Sequence, residues 1–362
     1  MNRFDEEYTD YKGNLIFSTI IQDESSKATP AELSLPLIYG KKNIIIGDQR
    51  QLPPMLDKEE FKLSLDFLLG RTENKDEKKK IQKLKSFVMN NFNEMEISHF
   101  ERLFDKIDPS LKGIFNKQYR MHPDINEVIK QFYINDGGLE CGLINPIDLG
   151  VNDPNMHNSA SRYHGIEIDE LISKNNHVIW IDTNSPELLD GTSRINYGEV
   201  DAIRDVLTKL RNSDSFQKYQ SFWNNPEDQQ IGIISFYGKQ IKLLRNLRNE
   251  FKDIPIRVST VDRFQGMERN IIIVSMVRSN RIASDKNQKA DINLYGELGF
   301  PEQNDLGFAQ SPNRLNVALS RAKRLLIIVG NSDLFKQKEI YNNVYQTIAQ
   351  NPNGRIIKYE TL

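Results

Sequence analysis

The stretch VSTVDRFQGMERNIIIVSMVRSN, residues 258–280, decides the fold. Its two β-branched arms read as strands, one within Ile256 to Val261 and one from Asn270 to Val277, parted by a short polar segment around Gly266. The second arm is apolar at nearly every position, which suits a strand covered on both faces. Similar runs lie at Leu15 to Ile21, Asn43 to Ile46, His177 to Ile181, Ile231 to Phe236 and Arg324 to Val329. Between them Val200, Ile203, Val206, Leu207 and Leu210 recur at helical spacing, as do Ile241, Leu244, Leu247 and Phe251. Parallel strands need crossover helices, so the expectation is an α/β protein with a doubly wound parallel sheet. The charged stretch Arg71 to Lys85 reads as a solvated helix.

The 362 residues, 38% hydrophobic and 27% charged, leave room for about two globular domains. No run reaches the ~18 apolar residues of a membrane span. The opening MNRFDEEYTDYKGN is too polar and acidic for a signal peptide, so no membrane partner and a cytoplasmic location are expected. Cys141 stands alone, which excludes an internal disulfide, and the five histidines are scattered without structural zinc spacing. A net charge of −2 gives no global pull on nucleic acid, so such binding would need a local groove.

Candidate chemistry follows strand ends, where ligands collect in open α/β sheets. FSTIIQDESSKAT (17–29) delivers Asp23 and Glu24 directly after an apolar strand. Adjacent carboxylates there suit a division of labour in which the first holds magnesium and the second orients or deprotonates an attacking water. They equally suit the start of a helix. The next strand runs into GDQRQLPP (47–54), with Asp48 and Gln51 at the same edge and Pro53 and Pro54 closing the turn. Gln51 could sense a terminal phosphate, or the segment could be an ordinary Asp-capped turn.

DESSKAT followed by GDQRQLPP resembles motifs II and III of superfamily 1 helicases. SHFERLF (98–104) and QYRMHP (118–123) resemble the segment leading into motif IV of the branch that includes the nonsense-mediated-decay RNA helicase. The opening stretch resembles motif V, and LGFAQSPNRLNVALSRAKRLLIIVG (306–330) resembles motif VI. The resemblance implies a RecA-like P-loop NTPase fold, with a partial first lobe over residues 1–115 and a complete second lobe over 116–362. It implies an ATP-dependent, 5'-to-3' single-strand translocase acting on DNA or RNA with ATP and Mg2+.

The resemblance also distributes roles. Asp23 binds the metal, Glu24 and Gln51 act at the terminal phosphate, Tyr119 stacks on adenine, and Arg120 reaches the γ-phosphate. Gly266 and Glu268 serve the ribose or relay strand binding, and Arg321 is the arginine finger. Arg314 and Arg321, seven apart, are expected on nearly one helical face. For the strand, Pro53 and Pro54 stand on the first lobe. Ser259 and Thr260, Phe236, Tyr237, Lys239 and Gln240, and the basic residues Lys242, Arg245 and Arg248 stand on the second.

One motif is missing. No string in the 362 residues has the form of a phosphate-binding loop, a glycine-rich turn ending in Lys-Ser or Lys-Thr. Gly40-Lys41-Lys42 and Gly238-Lys239-Gln240 lack the upstream glycine and the hydroxyl. Three readings stay open: a helicase portion needing an amino-terminal partner that supplies the loop, a non-hydrolysing binding or regulatory protein, and a truncated remnant. The polar stretch Arg281 to Asp305 reads as a partner-binding loop or as filler.

Overall fold

The computed structural model describes residues 17–54, 58–91, 98–143, 162–191, 193–221, 229–279 and 306–360. The expected loop at 281–305 lies outside them. The chain divides into two compact units, Met1–Gly113 and Ile114–Leu362.

In the first unit β1 (Phe17–Gln22) pairs in parallel with β2 (Gly40–Ile45), and α1 (Pro30–Leu37) makes the crossover. A capping box starts α1: the Thr29 hydroxyl accepts from Glu32 N while the Glu32 carboxylate accepts from Thr29 N, and Pro30 fills the first helical position. Two helices follow, α2 (Lys58–Arg71) and α3 (Lys75–Asn90), joined by a short turn capped by Asn74. They pack through Leu65 and Val88, with Ile81 and Met89 alongside. Helix α4 (His99–Lys106) buries Phe100.

The second unit carries a six-stranded, all-parallel sheet in the order β12-β5-β11-β10-β8-β9. The strands are β5 (Val178–Asp182), β8 (Ile231–Ser235), β9 (Ile256–Thr260), β10 (Arg269–Ser275), β11 (Ala322–Gly330) and β12 (Gly354–Lys358). Short pairs β3 (Lys117–Gln118) with β4 (Glu140–Cys141), and β6 (Leu188–Asp190) with β7 (Ser193–Ile195), stand outside the sheet. Alternate residues sort to two faces. Ile179, Ile233, Ile273 and Ile327 pack with Val206 and Leu210 of α6 (Tyr197–Arg211) and with Leu244 of α8 (Gly238–Arg248), while α7 (Asp214–Ser221) adds Phe216 and Tyr219. Trp180, Ile272, Val274 and Ile328, from the alternate positions, are equally buried. Trp180 meets the Tyr345 ring of α10 (Glu339–Gln350) edge-on at 5.7 Å. Helices therefore lie on both faces, as the apolar runs imply, and the architecture is that of a RecA-like NTPase lobe. Helices α5 (Pro123–Ile129) and α9 (Pro312–Leu319) and two single-turn helices, Val261–Phe264 and Ser332–Phe335, also belong to this unit.

Three of the five scattered histidines come together. His122 and His177 stack face to face with ring centroids 3.3 Å apart, and His164 meets His177 edge-on at 4.7 Å. Donor atoms of His122, Asp124 and His177 lie within 4.8 Å of one another, yet the groups are engaged otherwise. The Asp124 carboxylate accepts from Asn351 and Asn353, His177 Nδ1 pairs with the Arg324 carbonyl, and His122 Nδ1 accepts from Asp124 N. We read the cluster as packed core. Burial depresses all three rings, His122 to about 3, His164 to about 4 and His177 well below the ordinary value, so they stand neutral.

Candidate functional site

In the first unit Asp23 and Glu24 leave β1 exposed to solvent. Glu24 takes a left-handed backbone, φ 54°, and its N–H is held by Asp23 Oδ1 at 2.8 Å. A non-glycine residue in that region is strained by ~1 kcal/mol or more, a cost commonest at functional sites. The chain is tied to the next strand by Ser25 N donating to Ile46 O at 2.9 Å, so the DESS and GDQRQ loops lie side by side. Asp48 organises the second loop: its carboxylate accepts from Arg50 N at 2.9 Å and from Gln51 Nε2 at 2.7 Å. Gln51 is thus part of an Asp-capped turn as well as a candidate phosphate sensor. Pro53 is partly exposed and Pro54 is buried.

In the second unit the candidate residues separate to opposite edges of the sheet. At the amino edge of β10 and β11, Arg120 Nε donates to Glu268 Oε2 at 2.7 Å, and Lys323 Nζ pairs with Glu268 Oε1. Burial works to raise the Glu268 carboxyl, and the Lys323 and Arg120 cations outweigh it, holding the group below its ordinary value. The loop carrying Tyr119 and Arg120 is fixed from two sides. Gln118 Oε1 accepts from Arg120 N and Met121 N, while Arg162 Nε and Nη2 donate to the carbonyls of Arg120 and Tyr119 at 2.7 and 3.1 Å. The Tyr119 ring rests on the Gly142 backbone, where any Cβ would run into it, and 59% of the residue stays exposed. One ring face is supported and the residue remains accessible to a planar ligand.

Gly266 sits at φ +77° in the turn before β10, with open space where a Cβ would stand. Its value lies in backbone conformation rather than in letting a neighbour close in. Arg321 corrects the expectation of a shared helical face with Arg314. Helix α9 ends at Leu319, and Arg321 occupies the turn into β11. Its guanidinium is buried, Nε donating to Val317 O at 3.0 Å, Nη2 to Ser320 Oγ at 2.9 Å and Nη1 to Met267 O at 3.5 Å. Arg314 instead points to Asp262 Oδ1, 3.4 Å away. Arg321 and the Glu268 loop nevertheless adjoin, since Arg269 N donates to Arg321 O at 2.9 Å.

The carboxyl edge holds the candidate strand contacts, and two of them turn inward. Tyr237 is buried with its hydroxyl on Leu306 O at 3.2 Å. Gln240 is fully buried, bridging Asn196 and Ser275 Oγ. Both sit where a buried polar group is held by its partners, so their side chains are not presented at the surface. Phe236 and Ser259 are buried and Thr260 is partly exposed, while Lys239, Lys242 and Arg245 are exposed and Arg248 is partly so. Beneath this edge Glu199 accepts from Ser275 Oγ and Val277 N, and burial lifts its carboxyl to about 8.

Two residues of the amino edge were not singled out from sequence. Lys323 lies inside RLNVALSRAK but reads as one cation among several. Arg162 lies in a stretch without periodicity and gives no sequence signal.

Two family models, each described as an AAA domain, match residues 95–333 and 7–59. The chain is 28% identical over 347 residues to an ATP-dependent helicase of Methanocaldococcus jannaschii, covering 94% of this chain and 40% of that protein. It is 28% identical over 344 residues to DNA polymerase alpha-associated DNA helicase A of Saccharomyces cerevisiae, covering 91% and 40%. It is 28% identical over 345 residues to helicase sen1 of Schizosaccharomyces pombe, covering 91% and 16%. The chain thus spans at most about 40% of the length of these relatives.

Proposed function

Because the chain belongs to the AAA domain family and carries a superfamily-1-like helicase domain, we propose that it is the motif II-to-VI portion of an ATP-dependent, 5'-to-3' single-strand translocase. We assign it to the superfamily 1B branch. The observation that supports this most is the grouping of Arg120, Lys323 and Glu268 beside the supported, accessible Tyr119 ring. Two cations around one carboxylate leave net positive charge where a polyphosphate needs it, and the ring offers a purine platform.

These residues fit ATP in part. Tyr119 would hold the base, Glu268 a ribose hydroxyl, and Arg120 the terminal phosphate, with Arg321 joining it on leaving its present carbonyl partners. Asp23 would hold magnesium, while Glu24 would orient the attacking water and accept its proton beside Gln51. ATP·Mg supplies the phosphoanhydride whose cleavage drives stepping. No string of the sequence has the form of the phosphate cradle, so a partner segment carrying the glycine-rich loop is part of the proposal. The exposure of Ile21 (64%) and Ile44 (48%) on β1 and β2 supports such a partner, since apolar strand residues of this fold are ordinarily covered. On the strand side we assign Thr260 and Pro53, with Lys239, Lys242 and Arg245 in place of Tyr237 and Gln240.

The test is steady-state ATP hydrolysis by the chain, with and without single-stranded DNA or RNA, beside Glu24→Gln and Arg321→Ala. Strand-stimulated turnover lost in both variants establishes a self-sufficient motor and removes the partner from the reading. Turnover appearing only with a loop-bearing partner supports the proposal. A second reading, favoured by the missing loop, is a strand-binding protein without hydrolysis. It requires binding that weakens with salt and ignores ATP.

A further inference from the structure

The α2–α3 hairpin plays no part in the site above, and its charge is anomalous. Helix α3 carries six lysines against two carboxylates, so the remainder of a chain of net charge −2 is net −6. Lys85 is tied to Asp66 of α2. Lys75, Lys79 and Lys83 are exposed and make no ion pair among the described residues. They stand at i, i+4 and i+8, and Phe87, 61% exposed, continues the row at i+12. Like charges at i,i+4 repel by a few tenths of a kcal/mol per pair. Solubility alone is served as well by mixed signs, which would stabilise the helix instead. Successive rungs of such a row are about 6 Å apart, a spacing commensurate with phosphates along an extended strand, and an exposed ring next in line offers a base a stacking surface. The face opposite is committed to the hairpin core, with Ile81 and Val88 turned toward Leu65, so the row is held on the outer face of the hairpin. In the chain the hairpin begins four residues after Pro54.

We propose that Lys75, Lys79, Lys83 and Phe87 form a binding site for single-stranded nucleic acid, the lysines on successive phosphates and Phe87 against a base. The proposal rests on the nucleic-acid half of the reading above and is independent of ATP hydrolysis.

Fluorescence anisotropy of a labelled oligothymidylate, titrated with the full chain over a range of salt concentrations, tests it. Wild type is set beside Lys75→Gln/Lys79→Gln/Lys83→Gln and beside Phe87→Ala. Glutamine matches lysine in helix propensity, and all four side chains are exposed, so folding is retained and is checked by circular dichroism. For three phosphate contacts the triple variant should flatten the slope of log K against log salt by about 2. Phe87→Ala should weaken binding by about tenfold with the slope unchanged. Wild-type slope and affinity in the triple variant overturn the site while leaving the translocase reading intact. Absence of wild-type binding overturns both. Tighter binding of a duplex of the same length, insensitive to Phe87→Ala, overturns the single-strand assignment.

Discussion

Glu268 is where residue-level chemistry is densest, because one half-exposed carboxylate answers two cations from distant parts of the chain. Exposed pairs of this kind contribute ~0–1 kcal/mol, so Glu268→Gln should leave the urea midpoint nearly unchanged. Its effect should appear in nucleotide affinity, which a labelled-ATP titration reads. Gly266→Ala has the opposite profile. At φ +77° a side chain costs ~1–2 kcal/mol, so urea unfolding should show that loss although nothing crowds the position. Tyr119 and Arg120 stand out in QYRMHP because a ring and a guanidinium are the types that base stacking and phosphate contact need. Arg321 was legible by type but not by placement, since seven-residue spacing implies one face only while the helix lasts, and α9 stops at Leu319. That Tyr237 and Gln240 turn inward could not be read beforehand, because polarity in sequence does not say which way a group turns. Asn196 and Ser275, which claim Gln240, are 44 and 35 residues away.

Elements are joined by buried titrating groups, and these give the second unit opposing pH responses. His122 caps α5, His177 leads into β5, and both are neutral when folded. Once unfolded such rings take up protons near pH 6.5, which the folded chain resists until about 4 for His164 and about 3 for His122. Their contribution is complete above pH 6.5 and is lost as pH falls below it, by about 2 kcal/mol for each ring at pH 5. Glu199 links α6 to the end of β10 and acts in reverse. Its folded value near 8 stands above the ordinary 4.5, so its stabilisation is whole below 4.5 and is lost as pH rises toward 8. Urea midpoints should therefore peak near pH 6.5, and Glu199→Gln should flatten the decline between 6.5 and 8. The four central strands β5, β8, β10 and β11 were legible because burial on both faces leaves an uninterrupted signal. Edge strand β12 was not: in GRIIK only Ile356 and Ile357 are apolar, and most of the strand is half-exposed.

At the scale of the whole molecule, no helix among the described residues is long and apolar enough to cross a membrane. The second unit is a slab with different business at its two edges, cations and Tyr119 at one, basic α8 and Thr260 at the other. Strand β10 runs from one edge to the other, hydrogen-bonded on both sides to β8 and β11. Its Ile271–Ser275 amides should exchange with deuterium slowest of the chain, the mark of a segment that opens only with global unfolding. Rapid exchange there would refute that rigidity. A close-packed strand roughly 20 Å long neither stretches nor bends between partners of the same length. Under the proposed reading, a nucleotide-driven shift of the turn that carries Glu268 would carry the Ser275 end of β10 with it, as thrust travels along a piston rod.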